Sequence, residues 1–382
     1  VHMGWSTLHL IAGSIAFQSR LERKILTPEE QEIPPKYMNL SVNHNVPKDV
    51  RYVMKNVLII SDLTFNYEDP DHPGQVIIND YIHGGEIKQY TPTGQQITFV
   101  GATLRGMARS TLQNLADEIV TPITHEAGYD ETTIISPNEQ FGTVMTTRFS
   151  PQSSFAILGL VSRPYSALTL NAAAQSTYMY AVACARNGNH SGNIGPALIV
   201  LEDSLKDTDF DRKYHGYDLH DESEIYVYNS PMSWHYSSLK AIWLETSKPS
   251  YFDGKRDMRI RQVVLNDEVF HAKPKVNCTK ESPDNIPYAQ DLSALSNITA
   301  PVLSGTIQSK QSGSIALEYS LIHSKMTYSS FVDENNLVYE GFDSYTLDFA
   351  TRKSSYESKL KVYKANDQSK TPVAENNFKL TF

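Results

Sequence analysis

Hydrophobic positions along the chain recur mostly at a spacing of two, in short runs rich in β-branched and aromatic residues between turn formers. Such runs predict strands: residues 56–62 (NVLIISD), 75–79 (QVIIN) and 96–100 (QITFV). Residues 84–100 (GGEIKQYTPTGQQITFV) predict a hairpin, with a strand over 86–90, a turn over 91–94 and a return strand. Sustained helical periodicity is almost absent. The best helical candidate is 111–120 (TLQNLADEIV), and 199–211 (IVLEDSLKDTDFD) starts as a strand and ends as a polar excursion. Beyond Asn297 alternating strands are expected at 305–308, 314–319, 325–331, 337–341, 345–350, 359–363 and 378–382. A boundary is placed in 280–301, giving a first unit over 1–285 and a small antiparallel sheet or sandwich over 300–382.

Two segments resemble each other. In 134–145 (IISPNEQFGTVM) a Ser-Pro turn separates two strands, and in 233–243 (SWHYSSLKAIW) Trp-His-Tyr-Ser-Ser takes the same place. Matching Ser136 to Trp234 sets them 98 positions apart, or two repeats of roughly 49, the size of a four-stranded blade. Two unrelated hairpins are the alternative. The repeat predicts an all-β fold, a β-propeller followed by the small antiparallel β domain.

Composition narrows the partners. The chain has 382 residues, 40% of them hydrophobic, enough for a sizeable core. Its 34 Lys+Arg against 43 Asp+Glu leave a net charge of −9, which disfavours binding nucleic acid by counterion release. No run of about 18 apolar residues could span a bilayer, so no membrane partner is expected. The opening stretch, with Leu8, Leu10, Ile11, Ile15 and Phe17, is too polar for a signal peptide and lacks a basic start. It reads as processed, trimmed or incomplete. Cys184 and Cys278 could form one bridge or stay as two free thiols. The sequons at Asn39, Asn189, Asn277 and Asn297 would be glycosylated in a eukaryotic secretory route.

Residues 1–23, 71–79, 125–148, 232–243 and 303–341 resemble, in the same order, fungal saponin hydrolases and related secreted TolB-like propeller proteins. The matched hairpins are similar to the W-S-P-D-G-x-K-I/V-x-F element that joins the first two strands of a TolB-like blade. The resemblance implies a secreted, extracellular propeller of blades, seven being one count, with the first blade or blades missing or supplied by a partner. It also implies an enzyme acting on a glycosidic bond next to glucuronic acid, either hydrolase or rhamnose-glucuronate-type lyase.

Chemistry says what such a site needs. A hydrolase uses two carboxyls flanking the scissile bond. A β-eliminating lyase uses a base at C5, an acid for the leaving oxygen and a cation for the uronate. Residues 124–148 offer both sets: His125, Glu126, Tyr129, Asp130 and Glu131 precede a blade's first strand, and Arg148 follows its second. His125 is the candidate acid/base, Tyr129 its partner and Arg148 the carboxylate clamp, with Glu126 and Asp130 as substrate contacts. The family pattern also has His, Tyr, Asp and Arg here, with a His-to-Tyr spacing that differs by one. Arg105 and Tyr228 are further binding candidates by position. The bland alternative makes His125 a hydrogen-bonded loop residue and Arg148 a structural ion-pair partner.

Two other clusters carry residue types that can ligate a metal. Residues 214–221 hold His215, His220, Asp218 and Asp221, without zincin spacing. Asp203, Asp207, Asp209 and Asp211 could hold a structural Ca²⁺ but lack the EF-hand glycine and terminal Glu. No cofactor or catalytic metal is expected. Three readings stay open: a carbohydrate-active hydrolase or lyase, a propeller that binds glycans or proteins without catalysis, and a structural extracellular protein. The 22 tyrosines suit sugar stacking and protein contact alike.

Overall fold

The computed structural model describes residues 2–9, 13–31, 50–61, 66–78, 85–102, 108–125, 130–146, 148–149, 164–165, 195–208, 213–219, 226–247, 257–279, 284–299, 302, 304–320, 322–351 and 353–381. The protein is all-β, built from several antiparallel sheets. The first sheet joins β1 (His2–His9), β2 (Gly13–Ile25) and β3 (Val50–Ile59). A short hairpin follows, β4 (Tyr67–Glu68) and β5 (Val76–Ile77). The second sheet is a meander of β6 (Gly85–Tyr90), β7 (Gln96–Ala102), β8 (Ala108–Asn114) and β9 (Val120–Pro122). The third is a meander of β10 (Asp130–Ile135), β11 (Phe141–Thr146), β12 (Gly195–Val200) and β13 (Tyr217–Asp218). The fourth has three strands, β14 (Tyr226–Trp234), β15 (Lys240–Ser247) and β16 (Met258–Val264).

These sheets stack in chain order, and period-two alternation explains how. On the third sheet Val144, Ala197 and Ile199 point one way and meet Leu112 and Ile123 of the second. Phe141 and Leu198 point the other way and meet Trp234 and Val263 of the fourth. Central strand β11 is therefore buried along its whole length, because a strand sandwiched on both faces keeps no solvent side. Ala16 and Ile60 of the first sheet meet Ile97 and Leu115 of the second in the same manner.

Three hairpins share one turn. In each, a backbone N–H donates across the tip, Thr91 to Gln96, Ser136 to Phe141 and His235 to Lys240, at 2.8–2.9 Å. The fourth position is left-handed: Gly94 (φ 75°), Glu139 (φ 54°) and Ser238 (φ 61°), a turn of type I geometry closed by a left-handed residue. Ser136 thus matches His235, one position on from the expected Trp234. The expected two repeats between them are a single one, because the third and fourth sheets touch directly: the Asn138 N–H donates to Ser238 Oγ at 3.0 Å. The extra length lies in residues 147–194, inserted between neighbouring strands β11 and β12.

Residues 111–120 are not helical. They finish β8 and turn into β9, and the buried Leu112 and Leu115 fill gaps between sheets. Residues 199–211 end β12 at Val200 and then form a short helix, Leu201–Lys206, with Leu201 and Ser204 buried.

Beyond β16 the chain retraces its path. Residues 266–279 run across the hairpin tips of the third and second sheets. Asn138 Nδ2 donates to the Lys273 carbonyl at 3.1 Å, the Val276 N–H donates to the Pro137 carbonyl at 3.0 Å, and the Thr279 N–H donates to the Thr93 carbonyl at 2.8 Å. Ile286 then enters the core between the first two sheets, and β17 (Gln290–Asp291) pairs with β3 as the fourth strand of the first sheet. The described residues do not close the sheets into a ring.

The last sheet is a six-stranded meander of β18 (Gly305–Gln308), β19 (Ser314–Tyr319), β20 (His323–Val332), β21 (Leu337–Asp348), β22 (Lys353–Lys364) and β23 (Ala374–Thr381). The strands expected at 337–341 and 345–350 are one, β21. Its core of Ile307, Ile315, Leu317, Met326, Tyr339 and Leu360 takes in Val76 from the β4–β5 hairpin, a burial worth about 1.5–3 kcal/mol. Tyr165 meets Phe331 edge-on, with ring centroids 6.1 Å apart.

Tyr90, at the end of β6, packs with the core between the first two sheets, and its hydroxyl has no hydrogen-bond partner among the described residues. Burial pushes its phenol up to about 12. The folded chain therefore holds this proton where the unfolded chain loses it, so the associated stability is intact below about pH 10 and falls as pH rises toward the folded value, by up to about 1.4 kcal/mol per pH unit. Tyr90→Phe is expected to flatten that fall and to cost little at neutral pH. Urea titrations across about pH 9–11.5 check it, and parallel wild-type and variant curves would refute it.

Candidate functional site

The hairpin tips of the second, third and fourth sheets gather on one side. Thr93 donates through N–H and Oγ1 to Glu139 Oε1, both at 2.7 Å, and the Asn138–Ser238 bond continues the row. The opposite ends of these sheets carry the charge. Asp130 opens β10 and, in register, faces Thr146 at the end of β11; Arg148 follows two positions later.

Arg148 folds back over that register. Its Nη2 donates to Asp130 Oδ2 at 2.8 Å, its Nε to Thr146 Oγ1 at 3.1 Å and its Nη1 to the His215 carbonyl at 3.1 Å. The Arg148 and Asp130 side chains are 2% and 3% exposed. A guanidinium so enclosed is held as an internal counter-ion. Asp130 Oδ1 is buried and has no hydrogen-bond partner among the described residues. An ionised oxygen without a donor is costly to bury, so this atom marks a place where a donor, water or ligand hydroxyl, would be favoured.

The neighbouring fourth sheet carries a similar group. Glu245 Oε1 accepts from Trp243 Nε1 at 2.8 Å, and Oε2 accepts from Arg259 Nε at 2.7 Å. The Arg259 guanidinium also lies 3.6 Å over the Tyr226 ring. Tyr228, 1% exposed, sits directly across from Glu245 in the β14–β15 register. Between the second and third sheets, Lys88 Nζ reaches Glu131 Oε1 at 3.2 Å. The Asp130–Arg148 and Glu245–Arg259 pairs join strands at the ends away from the hairpin tips.

The structure thus brings Asp130 and Arg148 together and places Tyr228 on the next sheet. His125 is half-buried between β9 and β10, next to Thr124, whose Oγ1 accepts from the Ser110 N–H at 3.3 Å. Arg105, Glu126 and Tyr129 lie outside the described residues, as do Cys184, His220, Asp209, Asp211 and Asp221. The Glu245–Arg259–Trp243 group escaped sequence reasoning, although an acidic residue on the tryptophan-bearing face of a strand was a usable signal. Asp207 closes its own loop, accepting from the N–H groups of Lys213 (3.0 Å) and Tyr214 (3.3 Å). Among the described residues no three His, Cys, Asp or Glu gather as a metal site would need. Cys278 is an exposed free thiol, and Asn277 and Asn297 are exposed. No described helix is long and apolar enough to cross a membrane.

No protein-family model matches the chain, and no curated protein matches it. Among solved structures, a periplasmic gluconolactonase of Pseudomonas aeruginosa aligns over 98% of this chain and 96% of its own, at 8% identity and a TM-score of 0.20. A likeness at that level carries no argument about fold or activity, and these comparisons give no support to a kinship with fungal saponin hydrolases.

Proposed function

We propose that the protein is a secreted, carbohydrate-active member of the β-propeller class, with its ligand at the ends of the third and fourth sheets opposite the hairpin tips. The observation that carries this reading is Asp130 Oδ1, a buried carboxylate oxygen with no donor among the described residues, fixed in place by Arg148. Sugar hydroxyls are donors of the right kind.

The reaction class follows from the sequence resemblance. For hydrolysis next to a glucuronate, Glu126 and Asp130 would be the carboxyl pair. For elimination, His125 would take the C5 proton and Tyr129 would protonate the leaving oxygen. In either case Arg148 acts as a positioning residue for Asp130, and neutralising the uronate falls to another cation, Arg105 being the candidate. A second reading, a glycan-binding propeller without catalysis, draws on the burial of Arg148, which withholds the expected clamp from a ligand.

The test is a screen of the folded protein against glucuronate-capped glycosides. Ultraviolet absorbance follows the unsaturated product of elimination, reducing-sugar assay follows hydrolysis, and calorimetry follows binding. Turnover is expected to fall by about 10²-fold or more in His125→Ala, and binding to weaken about tenfold in Asp130→Asn. Binding without turnover supports the non-catalytic reading; a folded protein that neither binds nor turns over any of these glycosides overturns both.

A further inference from the structure

Two ion pairs with buried carboxylates stand at the ends opposite the hairpin tips, and they differ in one respect. In the Arg148–Asp130 pair both side chains are enclosed, 2% and 3% exposed. In the Arg259–Glu245 pair the carboxylate is enclosed at 2%, while the arginine side chain keeps 30% of its surface in solvent. The first pair is closed on itself. The second buries its anion and presents its cation.

That cation is held in one orientation. Glu245 Oε2 lies 2.7 Å from Arg259 Nε and 2.6 Å from Nη2, and Oε1 accepts from Trp243 Nε1 at 2.8 Å, so both carboxylate oxygens are fixed. The guanidinium also lies over the Tyr226 ring, 3.6 Å from its centroid. An arginine fixed by an ion pair and a stacked ring has little freedom left to lose when it meets a ligand. On β16, Arg259 shares its side with Val263, which packs against Phe141 and Leu198 of the third sheet. The guanidinium therefore stands where the third and fourth sheets face each other. In the sequence, residues 255–261 (KRDMRIR) carry four cations and one acid, within a chain of net charge −9, a local field that favours an anion. The other described cations near this end are committed: Arg148 is enclosed with Asp130, and Lys88, 14% exposed, spans Glu86 and Glu131.

We infer that Arg259 binds the carboxylate of an acidic sugar, with Glu245 and Trp243 as positioning residues, and that the site selects acidic glycans over neutral ones. This rests on the reading above that the ligand is a glycan at the ends of the third and fourth sheets, and adds its charge class. A carboxylate meets a planar guanidinium through charge-assisted hydrogen bonds, and a plane held flat on Tyr226 gives those bonds a fixed direction.

The experiment is calorimetric titration of the purified chain with two glycosides that share an aglycone, one capped by glucuronate and one by glucose. The wild type is expected to bind the glucuronate form about tenfold tighter, the difference shrinking between roughly 50 and 500 mM NaCl. In Arg259→Gln/Glu245→Gln both charges are removed, so no buried carboxylate is stranded, and the affinity ratio should fall to about one; circular dichroism checks the fold. Arg259→Lys keeps the charge but loses the fork, and should show an intermediate ratio. Equal affinity of the wild type for the two glycosides overturns the inference and leaves the glycan reading standing. A tenfold preference that survives in the folded double variant, or is unchanged in Arg259→Lys and by salt, also overturns it. A wild type that binds neither glycoside overturns the glycan reading, and the inference falls with it.

Discussion

Replacing Arg148 with methionine is expected to lower the unfolding free energy by about 3–5 kcal/mol. The methionine keeps most of the side-chain bulk, so packing changes little; what is lost is the charge. Asp130, 3% exposed, would keep a buried carboxylate facing nothing, since Oδ1 already lacks a donor among the described residues. Thr146 Oγ1 and the His215 carbonyl lose donors at the same time. The double variant Arg148→Met/Asp130→Asn should recover a good part of the loss, because the amide removes the uncompensated charge. Urea unfolding of the three proteins gives the answer. A loss below about 1 kcal/mol in the single variant would place this pair with ordinary surface ion pairs.

The second large effect is expected in the C-terminal sheet. Gly341 has φ +122°, and a Cβ built there would stand 1.9 Å from the Lys359 carbonyl oxygen and 3.1 Å from the Leu360 Cα. Both neighbours are backbone atoms of the paired strand β22, held in the ladder and unable to rotate away. Opposite, β20 shifts register between Tyr328 and Phe331, so the sheet bends here and the close approach is part of the bend. Gly341→Ala should therefore cost about 3 kcal/mol or more, combining backbone strain with a broken strand contact. Gly74 is a useful comparison: its φ is +83°, and nothing lies within 4 Å of its Cβ position. Gly74→Ala should cost about 1 kcal/mol from conformation alone. Equal losses for the two variants would show that the contact with β22 relaxes freely.

Much of the β architecture was legible because alternation survives wherever one side of a strand meets solvent. β19, with Ile315 and Leu317 buried and Ala316 and Glu318 exposed, is such a strand. The tip hairpins were legible through turn chemistry, which needs only local residues. Residues 111–120 misled because TLQNLADEIV also fits a helical spacing of apolar residues, and only the neighbouring β7 and the core between sheets decide for a strand. The repeat count misled because spacing alone cannot tell two blades from one blade carrying an insertion such as 147–194. The break assumed near residue 341 is a glycine-permitted bend within one strand. At the site, position in the blade points to Asp130 and Arg148 as ligand contacts. That the two would bind each other follows from the β10–β11 register, in which Asp130 faces Thr146 two residues before Arg148. The Glu245–Arg259 pair spans a connection whose length and path no local pattern specifies.

The segment that doubles back over the hairpin tips also sets an order for folding during synthesis. Sheet one is built from residues near the start of the chain, yet its fourth strand, Gln290–Asp291, emerges from the ribosome only after the other three stacked sheets have been made. Until then β3 presents an unpaired edge, and the core around Ile60 and Ile97 lacks Ile286. At about 5–20 residues per second that interval lasts tens of seconds, during which an open strand edge can pair with a stranger. The nascent chain is thus most exposed to aggregation early in its sequence and late in its synthesis, and a chaperone that shields β3 for that interval would raise the yield of folded protein without changing its final stability.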